Sequence, residues 1–113
     1  METDYFICMT TVNSEKEANT IKNIVLSKKL TACVNIISGV TSAYHWRGSI
    51  KEEKESIMIF KTKKYLLEKL KHEVLVVHSY EIPEFIVMPI VDGGLHFFSW
   101  MDRELLPEHE VKD

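Results

Sequence analysis

The stretch LTACVNIISGVTSAY, residues 30–44, decides how the chain can fold. It is rich in Val, Ile and Thr, which favour extended backbone, and it contains one internal glycine, Gly39. As a strand, these 15 residues would be about 50 Å long at roughly 3.3 Å per residue. A globular domain of this size has a radius of gyration near ~13 Å and a diameter of only about 35 Å. The strand must therefore bend at Gly39, where a bulge is expected, or extend beyond its own subunit.

The residues that follow supply a hairpin partner for this strand. The polar segment Arg47–Glu52 indicates a turn, and the apolar run Glu55–Thr62 indicates the second strand of the hairpin. If the hairpin leaves its subunit, its open edge and the large side chains Tyr44, Trp46 and Ile50 must be covered. Pairing with neighbouring chains would cover them, which predicts a ring of three or more copies. A sharp bend within a monomer is the alternative.

One strand and one helix are predicted before residue 30. Tyr5–Val12 is a short run of apolar, β-branched and aromatic residues, which is typical of a buried strand. Ser14 stands three residues before Glu17, a capping-box pattern in which hydroxyl and carboxylate satisfy free backbone N–H groups at a helix start. The apolar face of this helix is expected to comprise Ala18, Ile21 and Val25.

A second helix and a last strand are predicted after the hairpin. Thr62 is the expected cap of the helix. The apolar stripe of that helix would be Leu66, Leu67, Leu70 and Val74. The apolar segment Phe85–Ile90 is the last strand, and Pro89 places it at a sheet edge or at a bulge because proline lacks a backbone N–H.

A short aromatic-rich helix, Leu95–Leu105, is predicted near the C-terminus, and Pro107 ends it. The polar tail from about residue 106 is expected to be loose. The order of elements is βαββαβ plus one further helix. The sequence therefore predicts a single α+β domain, residues 1–113, with a ferredoxin-like fold, an extra C-terminal helix and a long hairpin between its second and third strands.

The composition fits an ordinary globular domain from the cytoplasm. Of the 113 residues, 45% are hydrophobic and 27% are charged. The net charge of −3 is spread in small clusters, which disfavours nucleic acid as a partner. Two isolated cysteines, Cys8 and Cys33, fit a reducing compartment better than a disulfide scaffold. The start carries no basic segment and the longest apolar run, residues 85–91, has seven residues, so no signal peptide and no membrane span are expected.

Three blocks of the chain closely resemble the CutA family, the divalent-cation tolerance proteins. The first is LTACVNIISGVTSAYHWRG, residues 30–48, followed by EEKES at 52–56 and FKT at 60–62. The second is HSYEIPE, residues 78–84, and the third is Ser99-Trp100. These blocks occur in the family's order and at matching spacing, and the resemblance extends from about Tyr5 to Leu105.

The resemblance implies a ferredoxin-like subunit in a tight homotrimer, with long hairpins that wrap neighbouring subunits. This agrees with the strand-length argument, which does not depend on it. The family is associated with tolerance to divalent cations, copper above all, and some members bind copper. Copper or another divalent cation, weakly bound, is therefore the implied cofactor. Ser79 stands where the family often has proline, which makes the loop around His78 less rigid.

Cys8, His78 and Glu84 are the candidate metal ligands, since copper and zinc take thiolate and imidazole with carboxylate as a harder third ligand. The resemblance places Cys8 at the family's copper-associated cysteine and His78 at its histidine ligand. Centre-to-centre pairing of the first and last strands would set Cys8 opposite Val87 or Met88, with Glu84 roughly 10 Å away. Bonds of about 2.0–2.3 Å cannot span that distance. Either the ligands come from different subunits, or Cys8 and His78 bind separately.

Each candidate also has a structural interpretation. Cys8 would then be a small core residue, His78 a loop histidine with its ring in solvent, and Glu84 the partner of a lysine or a backbone N–H. In the functional interpretation Tyr80, Glu81 and Glu84, around Pro83, frame an inter-subunit cleft in which His78 binds metal or senses pH.

Further residues are predicted at the cleft or the subunit interface. Tyr44 and Trp46 are assigned to the interface, with His45 exposed on the opposite side of the strand. Lys61 is either a plain strand end or part of an anion site at the next helix start. Trp100, in the last family block, completes this set.

Two functions stay open at this point. The first is a homotrimeric cytoplasmic protein that binds copper or another divalent ion and contributes to ion tolerance. The second is a trimeric signalling or scaffolding module, like the nitrogen-regulatory PII proteins, that binds a small anion or a partner protein in its inter-subunit clefts. A structural role toward an unknown protein partner is a third. An enzyme is not expected, because no G-x-x-x-x-G-K or G-x-S-x-G motif occurs.

Overall fold

The fold is described for residues 2–112 in a computed structural model. Within them the elements are β1 (Tyr5–Val12), α1 (Glu15–Ser27), β2 (Cys33–Trp46), β3 (Ser49–Lys63), α2 (Leu67–Val77), β4 (Ile86–Pro89) and α3 (Leu95–Glu104). Short 3-10 turns lie at Lys64–Leu66 and Glu108–Glu110. Over the same residues, no helix is both long enough and apolar enough to cross a membrane.

The strands form one antiparallel sheet in the order β2-β3-β1-β4. This order and the chain order together confirm the predicted ferredoxin-like βαββαβ fold with its additional C-terminal helix. β4 lies at a sheet edge, which the sequence indicated through Pro89.

The core lies between one face of the sheet and the helices α1 and α2. Cys8 pairs with Phe60 and Thr10 with Met58 across β1 and β3, and all four side chains are buried on this face. Apolar residues predicted for the two helices meet them there: Ala18, Ile21 and Val25 of α1, Leu66 of the 3-10 turn, and Leu70 and Val74 of α2. Alternation along the strands sends their other side chains to the opposite face of the sheet.

β2 and β3 continue beyond the sheet as a two-stranded ribbon. β1 pairs with β3 only over Ser56–Lys63, whereas β2 and β3 stay paired up to Trp46 and Ser49. Arg47 and Gly48 make the tight turn, with positive φ angles of 49° and 85°. The subunit is therefore 45 Å long but only 27 by 22 Å across, and the hairpin extends instead of folding back.

The predicted turn at Arg47–Glu52 was too long, because β3 begins at Ser49 and not at Glu55. The early part of β3 alternates charged residues of both signs and gives no apolar signal. A ribbon with solvent on both sides accepts such residues, so the charges do not prevent strand formation.

A bulge in β2 decides which side chains share a face in the ribbon. Ile37 pairs with Ile57, but Val40 pairs with Glu55, so β2 holds one extra residue here. Gly39, with φ of 73°, supplies the backbone conformation that the bulge requires, as the sequence predicted. The extra residue reverses the alternation of side chains along β2. In outer β2, which is the part beyond the bulge (residues 40–46), the even-numbered residues lie on the same face as the odd-numbered residues of β3.

Of the two predicted helix caps, one is absent from the structure and the other forms in part. Thr62 does not cap α2; it lies in β3, where its hydroxyl donates to the carbonyl of Leu30 at 2.7 Å, and α2 begins after a 3-10 turn. Ser14 caps α1 as predicted and accepts the N–H of Glu17 at 3.2 Å. The Glu17 carboxylate, however, lies near the ring of His78, so only one half of the capping box forms.

The prediction of a loose tail was wrong for residues 106–112. The N–H of Leu106 donates to the carbonyl of Lys29 at 2.9 Å, and its own carbonyl accepts the Tyr65 hydroxyl at 2.6 Å. Leu106 and Val111 also pack against the core. These two apolar residues hold the tail in place, although the residues around them are mostly charged.

Candidate functional site

A cavity of about 770 Å³ lies between the β2–β3 ribbon and the loop that joins α2 to β4. Side chains from outer β2, outer β3 and the loop line it, together with Thr11 at the end of β1. The structure thus brings five of the predicted cleft or ligand residues around one space: Tyr44, Trp46, Tyr80, Glu81 and Glu84. Its volume is within the range of small-molecule sites, roughly 300–1,000 Å³.

The aromatic wall of the cavity depends on the bulge at Gly39. Because the bulge reverses the alternation of β2, Tyr44 and Trp46 share one face with Glu53 and Glu55 of β3. The rings of Tyr44 and Trp46 meet edge to face, with centroids 6.5 Å apart. His45, between them, is exposed, as the sequence predicted.

Glu55 lies at the inner end of the cavity and is only 7% exposed. The hydroxyl of Tyr80 donates a hydrogen bond to its Oε2. Burial raises the pKa of Tyr80, and the hydrogen bond to the Glu55 carboxylate raises it further. The hydroxyl therefore stays protonated and donates this hydrogen bond at neutral pH. Among residues 2–112, no Lys, Arg or His forms an ion pair with Glu55.

Farther out, Glu53 lies within 3.1 Å of the Lys51 ammonium. Hydrogen bonding to Lys51 and then to Tyr44 lowers the pKa of the Glu53 carboxyl, which is therefore ionised at neutral pH. Partial burial and the neighbouring Glu53 carboxylate raise the pKa of Tyr44. Glu81, in the loop, pairs with Arg47 of the hairpin turn at 3.0 Å and links the loop to the ribbon tip.

His78 lies behind the cavity, at the end of α2, and its side chain is fully enclosed. Its Nε2 is 2.8 Å from the carbonyl oxygen of Thr11, and its Nδ1 accepts the N–H of Tyr80 at 3.2 Å. The Glu17 carboxylate is 3.7 Å from Nδ1. Its ring is therefore not in solvent, and a metal ion would have to displace the Tyr80 N–H to reach the lone pair of Nδ1.

Cys8 is enclosed in the core and lies opposite Val87 of β4, the pairing that the sequence predicted. Burial raises the pKa of its thiol to about 12, so the thiolate that binds metal is scarce at neutral pH. Glu84 precedes Val87 by three residues, roughly 10 Å along the chain. Its side chain is exposed, and its carbonyl accepts the Thr10 hydroxyl at 2.6 Å.

The structure of one chain does not bring Cys8, His78 and Glu84 together. Within residues 2–112, no three His, Cys, Asp or Glu side chains are grouped so that they could hold one metal ion. The ligands would thus have to come from different subunits or act at separate sites, the two alternatives that the sequence left open.

Lys61 and Trp100, also predicted at the cleft or interface, lie away from the cavity. Lys61 Nζ donates to Oδ1 of Asn35 at 2.9 Å and lies 5.9 Å from the centre of the Phe97 ring in α3. That ring in turn is 5.6 Å from Trp100. Pro83 lies in the cavity loop and is partly buried.

Sequence reasoning missed Glu53 and Glu55 as site residues. The sequence did contain a signal: Glu53 and Glu55 occupy every second position together with Ile57 and Ile59, so the four side chains share one face of β3. That pattern places two acids on the apolar face of a strand, where a carboxylate needs a partner.

The sheet face opposite the helices, here the open face, is apolar and only partly covered. It is formed by Ile7, Met9, Ile37, Ile57, Ile59, Ile86 and Met88. Ile37 is 48% exposed and Ile86 is 45% exposed. α3 covers only one end of this face, where Phe98 stacks on Tyr5 at 4.2 Å.

Comparison with known proteins agrees with this architecture. Residues 6–104 match the family of CutA1 divalent ion tolerance proteins. This chain belongs to the CutA1 family. The divalent-cation tolerance protein CutA of Thermus thermophilus is 37% identical over 95 residues, which cover 84% of this chain and 92% of that protein. Human CutA is 40% identical over 91 residues, 80% of this chain, and the chain spans 51% of its length. The resemblance found in the sequence is thereby confirmed.

Solved structures of CutA proteins share the fold of this chain. The Thermus thermophilus protein superposes with a TM-score of 0.85 at 35% identity, covering 89% of this chain and 98% of its own. CutA1 from Oryza sativa superposes with a TM-score of 0.88 at 32% identity, covering 92% and 95% respectively. The ribbon, the open face and the cavity thus belong to a CutA subunit.

Proposed function

We propose that this CutA protein works as a homotrimer in the cytoplasm, where it contributes to divalent-cation tolerance by weak binding of copper or another divalent ion. The proposed role is binding and not catalysis. The two free cysteines support a reducing compartment. Family membership supports the role in tolerance to divalent ions.

The open face is the observation that carries the proposal of an assembly. A broad apolar sheet face with Ile37 and Ile86 nearly half exposed is unfavourable in water. The strands at both edges of the sheet, β2 and β4, also present unpaired backbone groups. Neighbouring copies that cover this face and pair with the ribbon would satisfy both needs, and a closed ring leaves no copy uncovered.

The proposed ion is held between subunits, with Glu84 as the accessible ligand. Glu84 lines the cavity and is exposed, whereas the thiol of Cys8 and the ring of His78 are enclosed. Carboxylate alone binds copper less tightly than thiolate and imidazole do, so the affinity is expected to be modest. Cys8 and His78 would contribute only if the ion displaces their present contacts.

Native mass spectrometry with and without Cu²⁺ tests the assembly and the ion together. The expected species has three times the subunit mass of 13.2 kDa and takes up copper. Glu84→Gln is expected to reduce copper uptake, while Glu68→Gln, an exposed glutamate on α2, leaves it unchanged. A monomer would refute the assembly. Equal copper uptake by wild type, Glu84→Gln, His78→Ala and Cys8→Ala would refute the proposed ligands.

A second function, a small-ligand signalling module like the PII proteins, is favoured by the cavity itself. A space of about 770 Å³ with aromatic walls suits an organic molecule better than a bare ion. The acids that line the cavity oppose the anionic ligand that the sequence suggested. A thermal-shift screen of small organic ions tests this function, since a specific ligand raises the melting temperature at millimolar concentration.

A further inference from the structure

The cavity between the ribbon and the loop carries more negative than positive charge. The glutamates that line it are Glu53, Glu55, Glu81 and Glu84. The lining includes one lysine, Lys51, which pairs with Glu53 at 3.1 Å. Arg47, outside the lining, neutralises Glu81 at 3.0 Å. Glu55 and Glu84 are therefore left without a cationic partner within residues 2–112.

Glu55 needs a counter-charge more than the others because it is more than nine-tenths buried. Its Oε2 accepts the Tyr80 hydroxyl, but its Oε1 has no hydrogen-bond partner in the described part of the chain. Among buried side chains of residues 2–112, the one fully enclosed oxygen without a partner is Oε2 of Glu17. Oε1 of Glu55 is therefore not fully enclosed, and Glu55 is one of the residues that line the cavity. A buried carboxylate with a free oxygen favours a cationic donor at that point.

The aromatic walls favour an organic cation over an inorganic ion. The rings of Tyr44 and Trp46, with centroids 6.5 Å apart, line the same space as Tyr80. Aromatic faces attract ammonium groups and also cover the methylene groups beside them. An inorganic ion would use the charges but would leave this apolar surface exposed to water.

The spacing of the acids also favours a ligand with separated charges. Within residues 2–112, no three of the acids, histidines or cysteines are grouped as the ligands of one metal ion. Glu55 is buried on the ribbon, whereas Glu84 is exposed in the loop on the other side of the cavity, where its carbonyl accepts the Thr10 hydroxyl. One molecule with an ammonium group at each end can contact both.

We propose that this cavity binds a small aliphatic amine with two or more ammonium groups. One ammonium group donates to Oε1 of Glu55, the methylene chain lies along Tyr44 and Trp46, and a second ammonium group reaches Glu84. The proposal rests on contacts within one chain and shares only Glu84 with the proposed metal site, whereas Glu55, Tyr44 and Trp46 belong to the amine site alone. It also replaces the small anion that the sequence suggested for this cleft.

Isothermal titration calorimetry on the intact assembly tests the proposal with 1,4-diaminobutane as the probe. 1,4-Butanediol, which has the same chain length and no charge, is the ligand control. The diamine is expected to bind with a saturable heat at millimolar or lower concentration, and the diol is expected to give none. If a lysine from a neighbouring copy occupies the cavity, the diamine does not bind and the proposal fails.

Glu55→Gln tests the residue, because the amide keeps the size of the side chain and removes its charge. We expect it to weaken diamine binding about tenfold or more. Glu52→Gln is the matched control: it removes the same charge from the other side of the same strand, and we expect less than about a twofold change. Equal affinities in the two variants would show attraction by net charge alone and would overturn the proposal.

Trp46→Leu gives a second test that does not alter any buried charge. We expect it to weaken diamine binding in the variant that still assembles. Circular dichroism and native mass spectrometry of each variant show whether it is folded and assembled. Diamine binding that is identical in wild type, Glu55→Gln and Trp46→Leu would overturn the proposal even if the copper experiment succeeds.

Discussion

Nε2 of His78 lies 2.8 Å from the carbonyl oxygen of Thr11, and this contact joins the end of α2 to the end of β1. The other ring nitrogen, Nδ1, accepts the N–H of Tyr80 in the cavity loop at 3.2 Å. A donor on one side and an acceptor on the other correspond to a neutral ring with its proton on Nε2. One enclosed side chain thus holds a strand, a helix and the cavity loop together.

His78→Ala is therefore expected to lower the free energy of unfolding by about 2–4 kcal/mol. The change leaves a void and removes the partners of the Thr11 carbonyl and the Tyr80 N–H. His72→Ala, at an exposed position of α2, is the control and should change stability by less than about 0.5 kcal/mol. Urea denaturation at equal protein concentration measures both. Equal stability of the two variants would show that the ring of His78 is not structural.

Cys8 should make stability depend on pH above neutrality. Burial raises the pKa of its thiol to about 12 from 9.0, so the folded state holds this proton more tightly than the unfolded state does. The resulting stabilisation is complete below pH 9 and is lost as the pH rises toward 12. Between pH 8 and pH 10, wild type should lose about 1 kcal/mol more than Cys8→Ala. Parallel stability curves for the two proteins over this range would contradict the burial of the thiol.

The hydrogen bond from Tyr80 to Glu55 should be measurable as a coupling. Tyr80→Phe leaves a buried carboxylate without its donor and should cost about 1–3 kcal/mol. The same change made on a Glu55→Gln background should cost less, with a coupling energy of about 1 kcal/mol. Chemical denaturation of the four proteins gives this value. Additive effects of the two substitutions would mean that the contact does not contribute.

The fold could be predicted because its signals are local. The run of apolar, β-branched and aromatic residues in β1, the apolar face of α1 and the proline of β4 each depend on neighbouring residues, and each appears in the structure where the sequence placed it. The beginning of β3 was not predictable in this way. Residues Ser49–Lys54 form a strand because they pair with β2, and these mostly charged residues do not alternate with apolar ones.

The candidate site was predicted in its aromatic residues and in the loop acids Glu81 and Glu84, and it was missed in the strand acids Glu53 and Glu55. Tyr44, Trp46 and Tyr80 stand out in the sequence by their size, but Glu55 looks like any charged residue near a strand end. Its burial depends on two features that are distant in sequence. The bulge in β2 places Tyr44 and Trp46 on the same face as Glu55, and the Tyr80 hydroxyl donates to its carboxylate. The environment of His78 likewise depends on residues 67 positions away, so its enclosure could not be inferred from the loop alone.

Gly39→Ala should destabilise the ribbon by about 1 kcal/mol. Gly39 has a φ of 73°, where an L-residue with a Cβ is strained, and no atom lies within 4 Å of the position of that Cβ. The cost is therefore one of backbone conformation and not of crowding. Gly94→Ala is the matched control, since its surroundings are equally open and its φ is −75°. Thermal unfolding should separate the two variants by several degrees; equal melting temperatures would mean that the bulge tolerates alanine.

A charge on the open face should prevent assembly. Ile86 on β4 is 45% exposed in the single subunit, and in the proposed trimer a glutamate there would lose its water without gaining a partner. Ile86→Glu is thus expected to shift the protein from trimer to monomer in analytical ultracentrifugation at micromolar concentration. Leu26→Glu is the matched control, because Leu26 on α1 has a similar exposure of 39% but lies outside the open face. If Leu26→Glu dissociated the assembly and Ile86→Glu did not, the subunits would associate through the helices, and the open face would need another explanation.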